Sequence, residues 1–273
     1  MVLFRRKKRL DSVDIMRHSV KILIFILFPG CTYVDSKEED VSANFQDSVN
    51  QINEKFPYVL DSTQWPKGML LGKVEFSKDD RFRRLSPLYC DKEIYLLNEV
   101  EIAFDQMAAA AKIDRVDLKV ISGARSFNHQ KSIWSRKWDT YSGDGISKSI
   151  SILLYSAMPG TSRHHWGTDL DLNSLNNEYF ESGEGLKIYN WLVKNAGKYG
   201  FYQPYTSKET GNRKGYEMEK WHWSYAPVSS ELLKLYNELI RYSDLTGFDG
   251  ASHAKDLKII EDYVNGVANP LEY

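Results

Sequence analysis

The stretch SRHHWGTDLDL, Ser162 to Leu172, puts two adjacent histidines, a glycine and two alternating aspartates close together. The chain has only six histidines, and His129, His164, His165 and His222 are the four away from its ends. Taken alone, the stretch is a metal site, an acid–base pair or a solvated polar turn. Its tail TDLDL alternates as a half-buried strand does, and that alternation turns Asp169 and Asp171 to one face. Gly167, between His164 and Asp171, permits a tight turn that folds the histidine back over the strand.

A third candidate ligand lies downstream. His222 stands in EMEKWHWSY, with Glu219 three residues ahead of it. Two histidines and one carboxylate form a zinc set that leaves a fourth position open for water. Zinc lowers the pKa of a bound water towards about 7. A carboxylate such as Glu219 can take the proton and pass it to a leaving amine. His165, next to a ligand on a turn, is expected to line the cleft and steady the reacting carbonyl, or else only to pack. His129 is expected to be structural. Of Trp221 and Trp223, one is expected in the core and the other at the cleft; Tyr225 is a sheet-packing residue or an oxyanion donor.

The same residues carry a resemblance. SRHHWGTDLD follows the pattern Ser-x-His-x-x-Gly-x-Ala-x-Asp, EKWHW follows Glu-x-Trp-His, and SGARSFNHQ resembles a Ser-Gly-x-Arg-Ser segment. Together, in this order, they resemble the VanY-like D-alanyl-D-alanine carboxypeptidases of the LAS group of zinc peptidases, over about Leu70 to Tyr225. The resemblance implies one Zn2+ per chain on His164, Asp171 and His222, with Glu219 as general base. It also implies that Arg125 and Ser162 hold a substrate's terminal carboxylate, and Gln130 fits the same motif. A planar guanidinium suits that task because it can grip a carboxylate with two parallel hydrogen bonds. The departure is Asp169, where the family has alanine. It pairs with a basic neighbour, orients a ligand from behind, or replaces Asp171 as the ligand.

Composition sets the surroundings. An apolar content of 42% and an aromatic content of 13% suit a folded chain with a real core. The formal net charge of −1 gives no sign of a nucleic-acid partner. The charge is uneven: Arg5, Arg6, Lys7, Lys8, Arg9, Arg17 and Lys21 face only Asp11 and Asp14 within residues 1–30. The apolar run Ile22 to Phe28 that follows is far shorter than the roughly 20 residues of a membrane span. A basic region, a short apolar core and a small residue make an export signal, starting at Met1 or Met16. Gly30-Cys31 resembles a bacterial lipobox, in which Cys31 would carry a lipid and anchor the chain to a membrane. Phe28 and Pro29 depart from the usual residues there. Cys90 is then expected to be a packed free thiol.

Periodicity predicts a short helix over 41–56, a helix through Leu97, Val100, Phe104, Met107 and Ala111, and a strand on Val116, Leu118 and Val120. After SGARSF comes a helix bearing Trp134 and Trp138, then a third over 150–157 ended by MPG. GEGLKIYNWLVKNAGKYGF reads as a helix stopped by Gly200, EKWHWSY as a strand, and SSELLKLYNELIRYS and AKDLKIIEDYV as closing helices. Helices and strands mix without a βαβ rhythm, so the fold class is α+β: a small, mostly antiparallel sheet carrying the zinc site and packed with helices, LAS or hedgehog-like. The expected organisation is a signal over 1–30, a tether over 31–60, a peptidase domain over 61–227 and C-terminal helices over 228–273 on the same domain.

The expected function is zinc-dependent removal of the C-terminal D-Ala from peptidoglycan stem peptides, D,D or L,D, on the outer side of the membrane. Cross-link endopeptidase action is the alternative within the enzyme class. A non-catalytic zinc-bearing binding module on the cell surface is the alternative outside it, and such a module has no need of Glu219.

Overall fold

A computed structural model describes Glu54 and residues 58–211 and 213–270. The expected signal, the lipid site at Cys31 and the helix over 41–56 lie outside the described residues, Glu54 apart. Among the described residues, two sheets are formed. Strands β1 (Phe82–Arg84) and β2 (Tyr95–Leu97) pair antiparallel. The second sheet holds β3 (Val120–Ser122), β4 (Asp169–Leu172), β5 (Phe201–Tyr202) and β6 (His222–Tyr225), in the order β3-β4-β6-β5, with every pair antiparallel.

The second sheet positions the site through its register. Asp169 pairs with Ser224, Leu170 with Trp223 and Asp171 with His222. Because side chains alternate, Asp169, Asp171, His222 and Ser224 share one face while Leu170, Leu172 and Trp223 share the other. That apolar face is fully buried and joins Leu96, Phe104, Leu118 and Leu192 in the main core. Val116, Leu118 and Val120 are buried and alternate with charged residues as expected, but ladder pairing begins only at Val120.

Among the described residues, five helices of nine residues or more frame the sheets. Helix α1 (Asn98–Ile113) buries Val100, Phe104, Met107 and Ala111 on one stripe, with Glu99 and Glu101 at its N-terminal end, where the helix dipole favours acids. In α2 (Phe127–Thr140), the Ser126 hydroxyl accepts the His129 N–H as an N-cap, and Trp134 and Trp138 stack on one face. Helix α3, expected over 150–157, instead runs Gly145–Leu153: the Asp144 carboxylate accepts the Ser147 N–H at 2.8 Å and starts it early. Helix α4 (Gly183–Asn195) continues as a 3-10 turn to Tyr199 and stops at Gly200, whose φ of 83° is left-handed. Helix α5 (Ala226–Leu239) begins with a proline in its first turn.

The stretch AKDLKIIEDYV does not form a regular α-helix. Lys258 takes a left-handed conformation, and only a wide π-type turn follows, at Ile259–Val264. The C-terminal segment packs behind α2: Trp134 donates its indole N–H to the Asp249 carbonyl, and Phe248 meets the Trp134 ring edge-on. Among the described residues, no helix is long and apolar enough to cross a membrane.

Candidate metal centre

His164, Asp171 and His222 converge: one ligand atom from each lies within 4.8 Å of the others, and all three residues are buried. His164 arrives on a 3-10 turn, Arg163–Trp166, which Gly167 ends at φ 71° so that the chain enters β4. A Cβ on Gly167 would meet the Phe82 ring at 2.5 Å, so space as well as conformation requires glycine. Asp171 and His222 are delivered by direct cross-strand pairing.

Hydrogen bonding fixes which nitrogen of each ring faces the cluster. The His164 Nδ1 lies 2.8 Å from the Gly123 carbonyl, an acceptor, so Nδ1 carries the hydrogen and Nε2 presents a lone pair. That Nε2 is 3.3 Å from Asp171 Oδ1. The His222 Nε2 lies 2.9 Å from Asp169 Oδ1, so it donates there and leaves Nδ1 facing Asp171 Oδ1 and Glu219 Oε2, each at 3.2 Å. Asp171 Oδ1, buried among them, has no hydrogen-bond partner. Lone pairs meeting at such distances repel unless positive charge stands between them, and a metal ion of zinc type suits this N, N, O donor set.

Charge in the cluster points the same way. Burial works against charging His222, yet Asp169, Asp171 and Glu219 together push its pKa well up. Burial also opposes ionisation of Asp171, but His164 and His222 hold its carboxyl well below the usual range. The cluster calls for a cation, supplied by a proton or by a metal.

Asp169 is not in the ligand group. Its Oδ1 accepts from Arg163 Nε at 3.0 Å as well as from His222, and its Oδ2 accepts from Ser224 Oγ at 3.1 Å and from Thr168 Oγ1. It therefore pairs with a basic neighbour and also orients a ligand from behind. Arg163 is 1% exposed and bonds Tyr202 and Ser224 as well. Burial resists ionisation of Asp169, but Arg163 and His222 keep its pKa low.

A cleft of about 700 Å³ opens over the cluster and is lined by Arg125, Ser162, Glu219 and the three ligands. Arg125 is held from two sides: its Nη1 donates to Gln130 Oε1 and its Nη2 to Ser122 Oγ, both at 2.8 Å. Its Nη2 also lies 3.4 Å from Asp171 Oδ2, and its Nε is buried with no hydrogen-bond partner.

One expectation is corrected, and for His165 the packing alternative holds. Gln130 does not face the cleft; it is fully buried, accepts from Arg125 and donates from Nε2 to the Ala157 carbonyl, so it aims the arginine. His165 does not line the cleft either. Its Nδ1 is 2.6 Å from the Arg125 carbonyl, its Nε2 accepts the Gly160 N–H at 3.0 Å, and its ring lies against Gly72. Both ring nitrogens are spent on backbone, and burial pushes the pKa down to about 3, so the imidazole stays neutral. His165 ties together three chain segments. Its carbonyl contact steadies Arg125.

Other residues sit as follows. Trp223 is in the core and Trp221 at the cleft, while Tyr225 packs on Phe201 away from it. His129 is exposed on the first turn of α2. Cys90 is a buried free thiol whose pKa burial raises. The sequence reading missed Tyr205, whose ring meets that of His222 edge-on at 4.7 Å, and Lys137 and Tyr155, which also line the cleft. Tyr205 lies outside every motif, and only the fold brings it to the ligand.

Residues 93–228 match the family model VanY, D-alanyl-D-alanine carboxypeptidase. The chain is similar to the putative carboxypeptidase YodJ of Bacillus subtilis, 30% identical over 170 residues that cover 62% of this chain and 56% of that protein. It is also similar to a D-alanyl-D-alanine carboxypeptidase of Enterococcus faecalis, 30% identical over 132 residues, 47% of each chain. The chain thus spans about half the length of these curated relatives. Among solved structures, it resembles a variant of the vancomycin-resistance D,D-pentapeptidase VanY in complex with Zn(II), with 22% identity, a TM-score of 0.44, and coverage of 66% of this chain and 92% of that one.

Proposed function

This chain belongs to the VanY-like carboxypeptidase family, and from that premise we propose that it is a zinc-dependent carboxypeptidase removing the C-terminal D-Ala of peptidoglycan stem peptides. His164 through Nε2, Asp171 through its carboxylate and His222 through Nδ1 would hold one zinc ion. When bound, the ion supplies Lewis acidity and lowers the pKa of water at neutral pH. Glu219, 3.2 Å from the ligating nitrogen of His222, accepts the proton of the attacking water and returns it to the leaving amine. Arg125, on the cleft wall, offers its guanidinium to the terminal carboxylate, a charge-assisted bond that fixes the chain end beside the scissile peptide. Ser162 lines the same wall. Asp169 and Gln130 work through others: one fixes the His222 tautomer and the other aims Arg125.

The observation that carries this reading is Glu219 beside a three-ligand metal set in a cleft that also holds a buried, incompletely paired arginine. A binding module has no use for that carboxylate, and a cross-link endopeptidase has less use for the arginine. The basic and apolar N-terminal segment supports export, with a lipid at Cys31 as the proposed anchor, so that the enzyme meets the wall. Mass spectrometry of mixed tetrapeptide and pentapeptide muropeptides, incubated with zinc-loaded protein, tests the proposal. Loss of one alanine from pentapeptide alone means D,D-specificity; loss from tetrapeptide means L,D-specificity. Cleavage of cross-linked dimers without either loss would replace the proposal with endopeptidase action.

A further inference from the structure

We infer that Lys137 and Ser156 form a second carboxylate-binding subsite in the cleft, which selects peptides bearing a free side-chain carboxylate two or three residues before the chain end. This deepens the peptidase reading above and rests on it.

Lys137, on α2, is half-buried and lines the cleft together with Ser156, Arg125 and Glu219. Its Nζ donates to Ser156 Oγ at 2.8 Å, and Ser156 is itself 8% exposed. Among the described residues, no carboxylate lies within ion-pair distance of this ammonium. An ammonium carries three donors and here commits one to the hydroxyl. Ser156 accepts that bond and keeps its own O–H to donate. Two donors, one of them charged, therefore converge on the same wall. A carboxylate satisfies both at once, whereas a carboxamide satisfies them without charge. Burial pushes the Lys137 pKa down, with Glu219 acting against it and Arg125 with it. Glu219 acts on this ammonium only at longer range, its Oε2 facing His222 at 3.2 Å.

Spacing says which part of a substrate would reach the subsite. Gln130, which holds Arg125, and Lys137 are seven residues apart on the same helix face, about 10 Å along the axis. An extended peptide covers roughly 3.3 Å per residue. With its terminal carboxylate on Arg125, the peptide brings the side chain of a residue two or three positions earlier to Lys137. Both positions take a carboxylate, and their separation keeps the roles apart: Arg125 reads the chain end and Lys137 reads an acidic side chain.

The test compares two peptides, N-acetyl-Glu-D-Ala-D-Ala and N-acetyl-Gln-D-Ala-D-Ala, on zinc-loaded protein, by kcat/KM and by equilibrium binding. The wild type is expected to favour the acidic peptide about tenfold, as a partly buried charged hydrogen bond would. Lys137→Arg keeps the preference, and Lys137→Gln reduces it below about twofold, through KM and Kd rather than kcat. A wild type without preference, or a preference that survives Lys137→Gln, overturns the subsite. So does an equal fall in kcat for both peptides, which would make Lys137 a group acting on the reacting atoms. Binding that favours the acid without turnover of either peptide supports the subsite while defeating the peptidase reading.

Discussion

At the residue scale, Asp169 and Asp171 share one strand face and yet have separate tasks, set by which nitrogen of His222 each one meets. Asp169→Asn keeps the shape but removes the carboxylate that fixes the His222 Nε2–H and balances the buried Arg163. It should weaken zinc affinity by roughly 10–100-fold, measured by competition with a chromophoric chelator. Unchanged affinity would reduce Asp169 to a partner of Arg163 alone. Arg125→Ala should lower kcat/KM for a free-ended peptide by about tenfold or more, the worth of a charged hydrogen bond. Its activity on the same peptide amidated at the end should fall much less, and an equal loss on both would take Arg125 off the terminal carboxylate. That His164, Asp171, His222 and Glu219 come together was legible because their motifs fix residue type and spacing. The roles of Gln130 and His165 were not, because what their polar atoms meet (Ala157, Gly160 and Gly72 among them) is decided by chain segments with no motif in common.

At the element scale, the site depends on the β4–β6 register, which sets Asp171 opposite His222. A slip of one residue would turn Leu170 and Trp223 to the metal face and the ligands to the core. The alternation in DLDL made the shared face of Asp169 and Asp171 readable in advance, but the pairing of β4 with β6 that sets Asp171 opposite His222 was not. Helix limits were harder to read, because they turn on single side chains: Asp144 starts α3 five residues before its apolar pattern does, and Lys258 interrupts the last helical stretch with one left-handed residue. Close approach of segments is equally hidden in sequence. Gly72 has φ 74°, and a Cβ there would lie 2.3 Å from the His165 ring. Gly72→Ala should therefore cost about 1–3 kcal/mol in overpacking, with backbone strain added. Urea unfolding reads this as a lower midpoint at constant m-value. A midpoint equal to the wild type would mean that the His165 ring is free to move aside.

At the scale of the whole molecule, the metal set is assembled from a turn and two strands more than fifty residues apart in the chain, so its lone pairs meet only in the folded state. Zinc binding is therefore linked to folding. At a free zinc concentration about a hundred times Kd, the chain should gain about 2.7 kcal/mol, seen as a Tm that rises with zinc and falls with a chelator. A Tm indifferent to zinc would show that the three ligands hold no metal in the native state. The α+β class and the order of the motifs could be read from periodicity and spacing. The packing of residues 240–270 behind α2 could not, because Trp134 and Phe248 meet across more than a hundred residues. The account as a whole rests on Glu219 acting as the base beside a bound zinc. The most direct measurement is turnover of a D-Ala-D-Ala-ended peptide by Glu219→Ala, with zinc content determined on the same sample. One zinc per chain with turnover reduced roughly 10²–10⁴-fold is the predicted result. Wild-type turnover with the zinc in place would contradict it.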